Sequence, residues 1–159
     1  MKIEIVPCKE EYIDAVVDIS HTSWQPIFAH YLETLGEKMF NDLHGDWKET
    51  KRRSVTNGMK SGRGFVALVD GQVAGFIWYG IVPERKIGHI QDNAVNPKFR
   101  GLGIAPKMYD FVLNKMREEG MLYAGVTTGL DDAHAPARRA YEKVGFGSPI
   151  ESIRYHIEL

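Results

Sequence analysis

The segment Val95-Asn96-Pro97-Lys98-Phe99-Arg100-Gly101-Leu102-Gly103-Ile104-Ala105-Pro106 limits what this chain can fold into more than any other stretch. Residues 86–95 enter it as a β-rich run. Ile104, Met108, Phe111, Val112 and Met116 leave it at offsets of 4, 7, 8 and 12, which is one face of a helix. Pro106 has no amide hydrogen and is tolerated only in a first helical turn, so the helix begins near Gly103, and Gly120 ends it. A basic, glycine-bearing loop therefore joins a strand end to a helix start. Unpaired amides and the helix dipole favour an anion there, the glycines let its oxygens approach the backbone, and Arg100 adds charge. The spacing is neither GxxxxGK[ST] nor GxGxxG, which disfavours a nucleotide P-loop and a dinucleotide fold.

The rest of the chain reads as alternating strands and helices without repeats or linkers, so residues 1–159 are expected to form one domain. Residues 2–6 alternate as a half-buried strand that Pro7 closes. Helical spacing follows from Glu10 to Trp24 and again, after Pro26, through Phe28, Leu32, Leu35, Met39 and Leu43. Residues 45–60 are polar, an exposed helix or loop. Residues 63–69 and 72–82 are strands joined by Asp70-Gly71, a dipeptide suited to a tight hairpin, and residues 86–95 continue a meander. Beyond the helix that begins at Gly103, residues 121–128 form a fifth strand. An alanine-rich helix carries Ala133, Ala137, Ala140, Tyr141 and Val144. Residues 151–158, with Ile153, Tyr155 and Ile157 alternating, form a closing strand.

Charge and composition remove several functions. Twenty basic against 21 acidic residues leave a net charge of -1, so no nucleic-acid or anionic-membrane partner is expected, and the longest apolar run, residues 76–82, cannot span a bilayer. The Lys48-to-Arg53 run contains an interleaved acid and reads as a solvated helix. A lone Cys8 makes no intrachain disulfide, the six histidines lack metal-ligand spacing, and no metal is expected; a cytoplasmic setting fits.

The ordered matches Arg100, Gly103 and Ala105 to [Q/R]-x-x-G-x-[G/A], with Val95-Asn96-Pro97 before them and Ala140-Tyr141-Glu142-Lys143-Val144-Gly145-Phe146 after, resemble the GNAT superfamily of acyl-CoA-dependent N-acyltransferases. The resemblance covers essentially the whole chain. It implies an α/β fold with a mixed, mostly antiparallel sheet of about seven strands, splayed between the fourth and fifth. It also implies that Gly101, Leu102, Gly103, Ile104 and Ala105, with Arg100, hold the pyrophosphate of acetyl-CoA, while the main chain of Ala94 and Val95 meets the pantetheine arm. Two departures stand out. Pro106 removes an amide donor that the family usually offers, a loss of roughly 0.5 to 1.5 kcal/mol in cofactor affinity if nothing replaces it. His134 occupies a position commonly held by asparagine, from which it is expected to donate a hydrogen bond to the pantetheine.

Acyl transfer to an amine needs a neutral nucleophile, a stabilised oxyanion and a proton for the leaving thiolate. By resemblance Tyr141 is the acid, and the Val95 N–H meets the oxyanion. His89 is the first choice of base, read as sharing a strand face with Gln91, Asn93 and Val95, with Asp92 in reserve on the other face. Trp24, Phe28, Tyr31, Trp78 and Tyr155 are candidate walls for the acceptor. The expected function is acetyl transfer from acetyl-CoA to a primary amine of a small molecule or peptide by direct attack. The alternative is a non-catalytic acyl-CoA sensor. The closing strands leave a homodimer open.

Overall fold

The computed structural model describes all 159 residues. Five strands form one sheet in sequence order: β1 (Ile3–Pro7), β2 (Gly64–Val69), β3 (Gln72–Val82), β4 (Ile87–Val95) and β5 (Tyr123–Val126). Neighbours are antiparallel except β4 and β5, which are parallel. The Asp70-Gly71 hairpin forms as expected, with φ of 48° and 84° at the two residues.

Helices cover both faces. Five helices are present: α1 (Ile13–Leu35), α2 (Glu37–His44), α3 (Trp47–Met59), α4 (Ile104–Glu118) and α5 (Ala135–Lys143). Alternation along β2 and β3 divides the core. Val66, Leu68 and Phe76 join Val16, Val17, Val55 and Met59 of α1 and α3. Phe65, Ala67, Val69, Ile77 and Tyr79 join Met108, Val112 and Met116 of α4 and Tyr141 of α5. Every residue of β2 is consequently buried.

The structure corrects two expectations and decides a third. Pro26 does not divide the first helical region: α1 runs through it, and the break falls at Gly36, whose φ of 79° is readily available only to glycine. Of the two readings open for residues 45–60, helix or loop, the helix forms as α3, anchored by buried Val55 and Met59. The sheet has five strands rather than about seven, and the closing strand expected at residues 151–158 does not form: residues 148–159 have no regular secondary structure and form no backbone hydrogen bond. Alternation at Ile153, Tyr155 and Ile157 is a strand pattern, but a strand also needs an edge. These side chains remain 75 to 83% exposed, and residues 155–158 lie along α2, where Glu158 pairs with Lys38 beside a groove of about 400 Å³.

Two irregularities shape β4. β5 pairs only with Ile87 to Ile90 of β4, so residues 91–95 splay away from it. In β4, Gln91 and Asp92 together oppose Trp78, since Ile90 pairs with Tyr79 and Asn93 with Ile77. This bulge restarts the alternation one residue late.

Helix α3 sits close on the sheet because a Cβ at Gly58 would collide with the Trp78 indole. Gly58→Ala should therefore lower the thermal midpoint by roughly 2 to 6 °C despite alanine's better helix propensity. Gly147→Ala, with open space around the same position, should leave the midpoint unchanged in the same calorimetric scan.

Candidate functional site

The loop between β4 and α4 is built to leave its amides free. The Asn96 side chain accepts from Lys98 N at 3.0 Å, and Phe99 N donates to Asn96 O at 2.9 Å, which turns the chain tightly after the strand. Gly101 and Gly103 then take φ of 78° and 74°, a left-handed conformation costly to other residues. The N–H groups of Gly101, Leu102, Gly103, Ile104 and Ala105 donate to no group of the chain; the first turn of α4 closes only with Lys107 N to Gly103 O. Five successive donors at a helix start, beside the exposed Arg100, suit a pyrophosphate.

The splay presents the next donor. Asn96 N bonds Ala74 O, and hydrogen-bonded partners alternate along an antiparallel ladder, so Ala94 spends its backbone groups on Phe76. Val95, opposite Gly75, turns its N–H and carbonyl to the open side. Of the two residues expected to meet a pantetheine arm through their main chain, only Val95 is free to do so.

Tyr141 lies at the same place, on the inner face of α5. It is 7% exposed, and its ring meets Tyr109 and Phe146 at centroid distances of 5.1 and 5.9 Å. Asn93 Nδ2 donates to its hydroxyl at 2.9 Å, and the Tyr109 hydroxyl donates to Asn93 Oδ1 at 2.9 Å. Burial pushes the Tyr141 phenol above its ordinary pKa, against the hydrogen bond from Asn93, which favours the phenolate. Tyr109 is raised further, chiefly by burial, and remains a phenol at any working pH. Neither Asn93 nor Tyr109 belongs to the sequence-derived site. The signal that could have found Asn93 was three consecutive polar residues, Gln91-Asp92-Asn93, inside a strand, a break in period-two alternation that marks a bulge.

The bulge corrects the faces assigned to β4. Asn93 and Val95 share a face with Ile90, toward α4 and α5, while Asp92 turns to α1 and α3. His89 precedes Ile90 and therefore faces away from Tyr141; it is half-buried between its strand neighbours Gly80 and Gly125. Asp92 is engaged at both oxygens, accepting from Lys51 Nζ at 3.0 Å and from Trp78 Nε1 at 3.4 Å. Lys51 also lies over the Trp24 ring at 4.1 Å. Phe28 stacks on Trp47 at 4.4 Å, with Tyr31 at its edge, leaving a half-buried aromatic group between α1 and α3. Tyr155 does not join these walls: it lies on the exposed tail.

His134 precedes α5 and is held by Asp131, Nδ1 to Oδ1 at 2.6 Å, both side chains 17% exposed. Burial alone would raise the Asp131 carboxyl, but the His134 imidazole outweighs it and holds the group below its usual range. An ionised carboxylate only accepts, so Nδ1 carries the proton. The neutral ring then offers Nε2 as an acceptor, and donation toward a pantetheine requires the imidazolium. Gly129 makes room for this pair, since a Cβ there would collide with Asp131 Oδ1 and His134 Nδ1. Arg138 clamps the loop by donating to the carbonyls of Gly129 and Asp131.

The model of the acetyltransferase (GNAT) family matches residues 16–146. The chain belongs to the GNAT family. Within it, an uncharacterised N-acetyltransferase of Archaeoglobus fulgidus is 31% identical over 97 residues, 52% of this chain and 66% of that protein. A mycothiol acetyltransferase of Thermomonospora curvata is 33% identical over 82 residues, 52% of this chain and 27% of that protein. The chain thus spans less than two thirds of the length of either curated relative. The PaiA N-acetyltransferase of Thermoplasma acidophilum, solved in complex with coenzyme A, shares the GNAT fold at a TM-score of 0.68 and 18% identity, covering 92% of this chain and 91% of that one.

The folded state holds the Asp131 carboxyl below its unfolded value, so the pair stabilises above the unfolded pKa and its contribution fades as pH falls through the folded one. Asp131→Asn should lower the thermal midpoint at pH 7 by roughly 2 to 4 °C. That difference should shrink as pH falls below the ordinary carboxyl value of about 4 and on through the lowered folded value.

Proposed function

We propose that this chain transfers an acetyl group from acetyl-CoA to a primary amine by direct attack in a ternary complex, as a single acetyltransferase domain over residues 1–159. The observation that carries the reading is the row of five unpaired amides, 101–105, opening onto the same splay as Val95 N–H and the Tyr141 hydroxyl. Bound acetyl-CoA supplies an activated thioester carbonyl. The loop amides and Arg100 hold its pyrophosphate, and the Val95 N–H stabilises negative charge at the carbonyl oxygen. Tyr141, kept protonated by its burial, gives the leaving thiolate a proton. His134 meets the pantetheine through Nε2.

His89 is the proposed base. Asp92 is neutralised by Lys51, which leaves His89 as the ionisable side chain of β4 without a partner in the chain, on the α1 and α3 side of the sheet. An amine arriving from that side meets the base while Tyr141 works on the opposite side, which separates the two proton transfers. The half-buried aromatic group around Phe28 and Trp47 suits the apolar part of a small-molecule or peptide amine. No helix is long and apolar enough to cross a membrane, and we place the activity in the cytoplasm.

Two copies are proposed to associate through the free edge of β5, because residues 151–158 carry an unpaired strand pattern of their own. Light scattering at about 36 kDa, twice the 18.0 kDa chain, supports the dimer, and 18.0 kDa removes it.

Saturating acetyl-CoA, at about a hundred times its Kd, should add about 2.7 kcal/mol and raise the thermal midpoint by roughly 5 to 10 °C, whereas ATP and NAD should not. Thiol release on an amine panel then measures turnover. Tyr141→Phe should cut it about 100-fold with acetyl-CoA affinity nearly intact, and His89→Ala should remove the acid limb of the pH-rate profile. A CoA-specific shift with no thiol release from any amine would favour the sensor reading instead.

A further inference from the structure

The Tyr141 hydroxyl has a direction as well as a position. Asn93 Nδ2 donates twice, to Tyr141 Oη at 2.9 Å and to the Gln91 carbonyl at 3.1 Å. The Gln91 carbonyl can only accept, so the reversed amide would set two oxygens against each other, and this decides which end of Asn93 carries the hydrogens. Oδ1 then faces Tyr109, whose hydroxyl must be the donor. Tyr141 Oη is an acceptor toward Asn93, and its own proton is spent on no hydrogen bond within the chain.

We propose that Tyr109, Asn93 and the Gln91 carbonyl form a one-way relay that holds the Tyr141 proton toward the open splay, making Asn93 and Tyr109 positioning residues for acyl transfer. The proposal rests on the reading of Tyr141 as the acid. When the thioester C–S bond breaks, the thiolate takes the Tyr141 proton. The phenolate left behind keeps the Asn93 N–H, now a charge-assisted bond, and regains a proton from solvent. The bond from Asn93 thus strengthens as charge develops on the phenol oxygen, which is the condition for an interaction to speed a step. The bulge explains how Asn93 reaches the phenol at all: had the alternation run unbroken from Ile90, residue 93 would face the side of Trp78 and Lys51.

Asn93→Asp tests the relay, because it preserves shape but reverses polarity. A carboxylate only accepts, so both tyrosines would turn their protons onto it. The expected result is a kcat lower by about 10- to 100-fold, a KM for acetyl-CoA within about threefold of wild type, and an alkaline limb of kcat moved to higher pH. Tyr109→Phe, which removes one hydroxyl, should move the same limb in the same direction with a kcat loss under about tenfold, and it serves if Asn93→Asp does not fold. A kcat within about threefold of wild type and an unmoved limb in the folded variants would overturn the relay. Tyr141→Phe, run beside them, separates the two readings. Lost turnover there with normal Asn93→Asp kinetics sinks only the relay, whereas retained turnover sinks the acid role and the relay together.

Discussion

Between Ile90 and Asn93, β4 carries one residue more than β3 can pair, and both faces of the sheet depend on how that residue is absorbed. In an unbroken strand, residues 90 and 93 point to opposite sides. Here both face α4 and α5, and Asp92 is released to the other face, where Lys51 and Trp78 engage it. A local fault in a ladder is therefore tied down by a nearly buried ion pair on one side and by a tyrosine-asparagine-tyrosine set on the other. Removing one partner of either arrangement leaves an unpaired polar group in low dielectric, which costs far more than the intact pair contributes.

The same strand also stops sharing its edge with β5 after Ile90. A parallel neighbour continuing to Val95 would consume the Val95 N–H. Its divergence keeps a donor open, and the turn at Asn96 and Pro97 brings the free amides of the following loop beside it. Strand, splay and loop thus present two groups of free donors, Val95 N–H at the splay and the amides of 101–105 at the loop, and an elongated ligand with amides near one end and phosphates near the other finds a partner at each.

Much of this is legible in the residues, and what is not has a common cause. The glycine loop, the helix start at Pro106, the Asp70-Gly71 hairpin and the place of Tyr141 on α5 all follow from local chemistry, and local chemistry is what a sequence displays. The faces of β4 escape such a reading because a bulge is a property of two strands in register: the polar run Gln91-Asp92-Asn93 breaks the alternation, but only the pairing with β3 fixes which residues change face. Pro26 suggests a break when its cost is weighed against an isolated helix, whereas α1 is held by packing of Val16 and Val17 against the sheet. Residues 151–158 have a strand's alternation and no partner, since pairing depends on an edge elsewhere in space. Tyr109 reads as core on an amphipathic helix, and it is core; its hydroxyl acquires a role only through Asn93 across the interface.

Pro106 first counts against the anion loop, because it deprives the loop of a donor. It also fixes its own φ near the helical value, at the point where the chain passes from two left-handed glycines into α4. A loop containing Gly101 and Gly103 would otherwise wander over many conformations when empty. With its exit locked, fewer of them are lost when an anion settles, so part of the missing hydrogen bond is recovered as preorganisation. The loop gives up enthalpy at one atom and gains entropy across the whole turn.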